Sequence, residues 1–131
     1  MLKRSVRDWW VKALRSDDFT QGQSGLASRD VRDGPVRHCC LGVLSEGAIE
    51  HGVNIARSED RGELSYDSCV SYPPNKVREW AGLPLVEDEE AYGVNVTLPN
   101  GAEVNLAHLN DLGMPFAQIA DYLDMCEVED D

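Results

Sequence analysis

The sequence predicts an α+β fold: a small single domain over residues 1–131, with four or five short helices packed against one or two β-hairpins. Three observations lead there. Apolar residues recur at helical spacing near the start, the middle and the end of the chain. A strictly alternating stretch is broken by Asn100-Gly101, the strongest short-range hairpin signal. With 131 residues, 42% of them hydrophobic, the chain can bury roughly two-thirds of its unfolded surface in one core.

The elements follow in order. Residues 2–16 place Leu2, Val6, Trp9, Trp10, Ala13 and Leu14 on one helical stripe. Lys3, Arg4, Arg7, Lys12 and Arg15 fill the other side, and Ser16-Asp17-Asp18 ends the helix. Trp9 and Trp10 are about 100° apart on a helix, so one should lie deeper than the other. Within residues 19–37, Leu26, Val31 and Val36 allow two short strands around Arg32-Asp33-Gly34, a hairpin signal. Residues 39–51 return to helical periodicity, with Gly52 as the C-terminal cap. Gly42 and Gly47 each weaken that helix by about 1 kcal/mol relative to Ala, which suggests that something packs closely on its backbone. Residues 53–72 are polar and poorly patterned, with Ser58-Glu59-Asp60-Arg61-Gly62 read as a loop, the region expected to be most mobile.

Pro73-Pro74 opens a short helix carrying Val77, Trp80 and Ala81, which Gly82 ends. Glu87-Asp88-Glu89-Glu90 reads as a solvated loop. Tyr92, Val94, Val96 and Leu98 then alternate up to Pro99-Asn100-Gly101, and Ala102, Val104 and Leu106 alternate back. A short helix over 106–112 closes at Gly113, and Pro115 starts a last helix bearing Phe116, Ile119, Ala120 and Leu123. The acidic tail, 126–131, is expected to fray. Leu14, Leu41, Val43 or Leu44, Trp80, Val96, Val104, Phe116 and Ile119 are the expected core.

Charge and cysteine usage narrow the function classes. The net charge is −12. Residues 1–40 hold eight Lys/Arg against five Asp/Glu, whereas residues 41–131 hold four against nineteen. Such a surface repels nucleic-acid phosphates over most of its area. The stretch from Leu112 to Ala120 is similar to the first helix of a helix-turn-helix, but the chain ends in acid where a basic reading helix should follow. No run approaches the ~18 apolar residues of a membrane span, and the N-terminus lacks the pattern of a secretion signal. A cytoplasmic protein with reduced thiols at Cys39, Cys40, Cys69 and Cys126 is the expectation. His38, Cys39 and Cys40 are direct neighbours that point different ways, without the paired spacing of a zinc site, so no metal or cofactor is expected.

A thiol nucleophile is the one catalytic pattern worth weighing. Cys39 and Cys40 stand where a helix begins, and a helix N-terminus favours a thiolate. The order Gln21, Cys39-Cys40, His108, Asn110 is superficially that of papain-like proteases, but neither the spacing nor the local sequence matches. Cys40, in register with Leu44, is more simply a small core residue. No catalytic residue is assigned. The polar residues that stand out are Gln21, His38, Cys39, Cys40, Asn110 and Asp111. Gln21, Asn110 and Asp111 either tie loops and cap helices as buried hydrogen-bonding groups or line one cleft beside the start of the Cys40 helix.

Several blocks then stand in order: Trp10…Ala13-Leu14-Arg15-Ser16 with Gln21-Gly22, then His38-Cys39-Cys40-Leu41-Gly42-Val43-Leu44. Val77-Arg78-Glu79-Trp80-Ala81-Gly82-Leu83 and Leu109-Asn110-Asp111-Leu112-Gly113 with Phe116…Ile119-Ala120-Asp121 follow. Over nearly the whole chain this arrangement resembles a family of small uncharacterised proteins of tailed phages and prophages, whose middle block reads C-C-L-G-V-L-C and whose last block closes on I-A-D. Ser45 stands where that middle block has its third cysteine, and Asp17-Asp18-Phe19 replaces a glycine-aromatic step. The resemblance implies a phage origin and no particular activity. The expected function is that of a small accessory protein binding a host or phage protein without catalysis, in the host cytoplasm if phage-encoded. The alternatives are a sponge for a small signalling molecule of host defence and a small cysteine-dependent enzyme.

Overall fold

Helix α1 (Arg4–Arg15) supplies the first wall of the core in the computed structural model, which describes residues 1–32, 34–87 and 93–131. Its stripe buries Val6, Trp10, Val11, Ala13 and Leu14 against α5 (Phe116–Met125) and α2 (Cys40–Glu50). Trp10 is the deeper tryptophan, fully buried, and its indole N–H donates to the Cys40 carbonyl at 2.9 Å. Trp9 is half-buried, edge-on to His51 at 5.7 Å. Arg7, expected on the polar side, is instead buried: its guanidinium donates to the Leu123 and Asp124 carbonyls at 3.3 and 3.2 Å. Those carbonyls belong to the last turn of α5, where acceptors are left over and a cation is favoured.

The larger sheet has five strands in the order β1-β3-β2-β5-β4. They are β1 (Thr20–Gln21), β2 (Ala27–Arg29), β3 (Val36–His38), β4 (Arg57–Asp60) and β5 (Glu63–Tyr66). Only the β1–β3 pair is parallel. The expected hairpin is present as β2–β3, with Arg29 opposite Val36. Val31 projects into solvent at 63% exposure, and Asp33 of the expected Asp-Gly turn lies outside the described residues. The reading of 58–62 as a loop is corrected: Arg57–Asp60 is a strand, and only Arg61-Gly62 turns. Both turn residues have left-handed backbone, φ 53° and 82°, as a tight two-residue hairpin requires.

Helix α2 runs through the centre, buried on almost every side. Its two glycines have the reason that the sequence suggested. A Cβ on Gly42 would sit 1.9 Å from the Leu26 carbonyl oxygen, and one on Gly47 would sit 2.3 Å from the Trp9 ring. Ser45 is buried and donates back to the Leu41 carbonyl at 3.0 Å.

Helix α3 (Asn75–Ala81) follows Pro73-Pro74 and stops at left-handed Gly82. Strands β6 (Asn95–Thr97) and β7 (Glu103–Asn105) form a separate two-stranded sheet, Val96 opposite Val104. In the turn between them only Gly101 is left-handed, at φ 85°, and the Gly101 N–H donates to the Leu98 carbonyl. The turn is therefore a three-residue one with glycine in the left-handed place, not a two-residue Asn-Gly turn. Tyr92 and Asp88-Glu89-Glu90 lie outside the described residues. Leu106 begins α4 (Leu106–Asp111) instead of continuing the strand, and Gly113 with φ 91° turns the chain toward α5.

Leu14, Leu41, Val43, Leu44, Val96, Phe116 and Ile119 are buried in one cluster, as expected, whereas Trp80 and Val104 only pack against it half-buried. Trp80 stacks on His51 at 5.3 Å near the surface, and Val104 lies on a strand with a single partner. The tail, read as solvated, makes specific contacts with the fold. Glu127 donates its N–H to the Thr97 carbonyl, Glu129 to that of Leu2, and Arg4 donates to the Glu129 carbonyl. Cys126 is buried, and Ser5 bonds the Asp131 carboxylate. The tail is held because backbone groups at the start of α1 and the end of β6 would otherwise lack partners.

Candidate functional site

The α4–α5 corner and the start of α2 meet at Asn110. This side chain is fully buried and all its bonds are internal. Its Oδ1 accepts from the Cys40 N–H at 3.1 Å and from Gln21 Nε2 at 3.1 Å, while its Nδ2 donates to the Gly22 carbonyl at 2.8 Å. The Cys40 N–H is the first of α2, so Asn110 satisfies an orphan helix donor from another element. Gln21 does the same for α5: its Oε1 accepts from the Phe116 N–H at 3.1 Å, and its Nε2 also donates to the Met114 carbonyl at 2.7 Å. Asp111 accepts from the Ser24 N–H at 3.1 Å. Three of the singled-out residues thus come together as a junction tying loop 21–24 to two helix starts. An open hollow of about 400 Å³ borders Gln21, and its described lining includes Gln23, Asp30 and Arg37 but neither Asn110, Asp111 nor the cysteines.

The cysteines pack rather than present. Cys39 is the N-cap of α2, its sulfur accepting from the Gly42 N–H at 3.4 Å. Burial pushes its thiol up to about 11, against the smaller opposite pull of the Gly42 N–H. Cys40 has no exposed surface, and burial drives its thiol well above the ordinary range. A thiol held protonated is a poor nucleophile. His108 is exposed on α4.

The side chain of His38 belongs to a different cluster. From the end of β3 it reaches toward Glu46 of α2, with Nε2 3.9 Å from the carboxylate, beyond hydrogen-bond reach. Its ring is edge-on to Phe19 at 5.2 Å, and its buried Nδ1 has no hydrogen-bond partner among the described residues. Glu46 accepts the Tyr66 hydroxyl at 2.6 Å and pairs with Arg57. Burial alone would raise the Glu46 carboxyl; its contacts with His38, Arg57 and Tyr66 outweigh that and hold it at about 2. Burial and the same carboxylate push the Tyr66 phenol up. Sequence reading missed this cluster, which draws on four elements. The available signal was a carboxylate, Glu46, in the middle of a largely apolar helix.

Among the described residues no three His, Cys, Asp or Glu side chains gather as metal ligands, and no helix is long and apolar enough to cross a membrane. No curated protein and no solved structure matches the chain. Residues 2–127 match the model of a family described as "Domain of unknown function (DUF8296)", and the chain belongs to that family.

Proposed function

We propose that this chain acts by binding another protein, of host or phage origin, without catalysis, and that its partner presents a basic surface. The observation that carries this reading is how the charges are spent. Arg4, Arg7, Arg15, Arg29, Arg37, Arg57 and Lys76 all pair with carboxylates of the chain itself. With 12 Lys/Arg against 24 Asp/Glu, the surplus facing outward is carboxylate. Such a field raises the encounter rate with cationic partners and repels anionic ones. A sponge for an anionic signalling molecule would need cations from residues 1–40 free to meet a ligand in a pocket, yet Arg4 and Arg15 of α1 are turned onto Asp130, Asp121 and Asp124, and Arg37, at the hollow beside Gln21, pairs with Asp30. A cysteine-dependent enzyme would need a thiol near a base, whereas Cys39 and Cys40 are buried and protonated. The phage origin implied by the resemblance belongs to the same proposal.

Affinity capture from a lysate of the source cells, with quantitative mass spectrometry, tests the reading. A stoichiometric basic protein that dissociates as salt is raised is the expected result. Capture of no protein, alongside turnover or tight uptake of a small metabolite, would refute it.

A further inference from the structure

A groove of about 610 Å³ opens between the N-terminal segment, the turn after α3 and strand β6. Apolar side chains make up most of its lining, with Asn95 and Thr97 among them: Leu2, Leu83, Val94 and Val96 are nearly buried, while Met1 is 61% and Leu85 45% exposed at its edge. Met1 also lines a second hollow with Met125, which is 52% exposed. Three exposed large apolar side chains therefore share one face, whereas Val31 and Leu112 line neither hollow. Around this apolar strip stand Glu87, Glu103 and Glu127. The cations that line the two hollows have partners within the chain: Arg78 is buried and donates to the Pro73 and Pro84 carbonyls, Arg4 pairs with Asp130, Arg7 pairs with Asp8, and the terminal amine donates to the Gly82 carbonyl.

We infer that this groove docks a cationic amphipathic segment of a partner protein, with apolar side chains seated between Leu85 and Val96 and lysines or arginines reaching Glu87, Glu103 and Glu127. The inference rests on the protein-binding reading and names where and how that binding occurs. An apolar strip with a charged rim is the anatomy of a protein interface, and the sign of the rim selects the partner. A second copy of this chain carries the same −12 charge and is repelled, as is a nucleic acid or an anionic lipid surface.

Fluorescence anisotropy on the whole chain tests this with three labelled synthetic peptides. One carries Lys/Arg with Leu and Phe anchors. The second keeps the cations and replaces the anchors with Ser. The third keeps the anchors and replaces the cations with Glu. The first peptide should bind at least about tenfold more tightly than the other two, since both the desolvated anchors and the ion pairs contribute. Leu85→Asp, and Glu87→Lys with Glu103→Lys, should each weaken it by at least about tenfold. A charge-matched control, Asp17→Lys with Asp18→Lys, lies past the far end of α1, about 18 Å along the helix, and should leave binding unchanged. Leu85 is exposed enough that its substitution should not move the melting temperature, and Leu85→Ser serves if it does. Equal binding of the three peptides, or equal loss in the Asp17/Asp18 control, overturns the groove. So does a captured partner whose cross-links fall elsewhere, and that last outcome leaves the protein-binding reading standing.

Discussion

Replacing Asn110 with Ala separates a structural junction from a binding cleft. The change removes three hydrogen bonds, at 3.1, 3.1 and 2.8 Å, from a site with no exposed surface. The Cys40 N–H suffers most, because it is buried and the alanine offers it no acceptor. An unsatisfied buried donor costs about 1–3 kcal/mol. Gln21 and Gly22 lie nearer solvent and can recover part of their loss from water. Together with the small void, the expected destabilisation is about 3 kcal/mol. At about 2.1 cal/mol/K of unfolding entropy per residue, this chain should lose roughly 10 °C in Tm. Urea and thermal melts followed by circular dichroism measure it directly. Gln21→Ala should cost less, and the double variant should be non-additive by at least about 0.5 kcal/mol, because the two amides are bonded to one another. A loss below about 0.5 kcal/mol for Asn110→Ala, with partner binding abolished, would refute the junction and restore the cleft.

Other parts of the fold give sharper or simpler tests. Gly42→Ala should destabilise despite the better helix propensity of alanine, by at least about 2 kcal/mol, because the Leu26 carbonyl cannot yield as a side chain can; differential scanning calorimetry reads it. Glu46 has its carboxyl lowered from 4.5 to about 2 in the fold, so it contributes stability that is fully present above 4.5 and lost as pH falls toward 2. Urea midpoints between those pH values should therefore fall less steeply for Glu46→Gln than for the parent chain. Thiol titration at pH 8 should modify the partly exposed Cys69 first and leave buried Cys39 and Cys40 unreactive until the chain unfolds.

The elements that were legible in the sequence are those whose burial repeats at one period. The stripe of α1 from Val6 to Leu14, the alternation around Val96 and Val104, and the Phe116–Leu123 stripe of α5 each have one buried side. Strand β4 has no such signature, because all four of its residues are exposed and nothing alternates. Its charges, Arg57, Glu59 and Asp60, are what protects a sheet edge from pairing with another chain, and the same charges read locally as a loop. Its turn uses Arg61 in the left-handed place usually held by Asn or Asp, which removed the other cue.

The candidate site was legible in composition but not in arrangement. Asn110 and Gln21 stood out because a buried amide in an apolar block needs partners, but the partners are backbone groups 70 and 95 residues away, Cys40 N and Phe116 N. No local rule reaches that far. The tail shows the same gap in the opposite direction. Five terminal residues rich in carboxylate look solvated on their own, yet Glu129 lies beside Lys3 and Asp130 pairs with Arg4. Closing the chain on itself in this way takes cations out of the surface field. The basic N-terminal segment, read alone, suggests a site for anions; in the fold its Arg4 and Arg15 are turned onto Asp130, Asp121 and Asp124, and under the binding reading proposed above the net charge of −12 directs the search for a partner toward basic proteins.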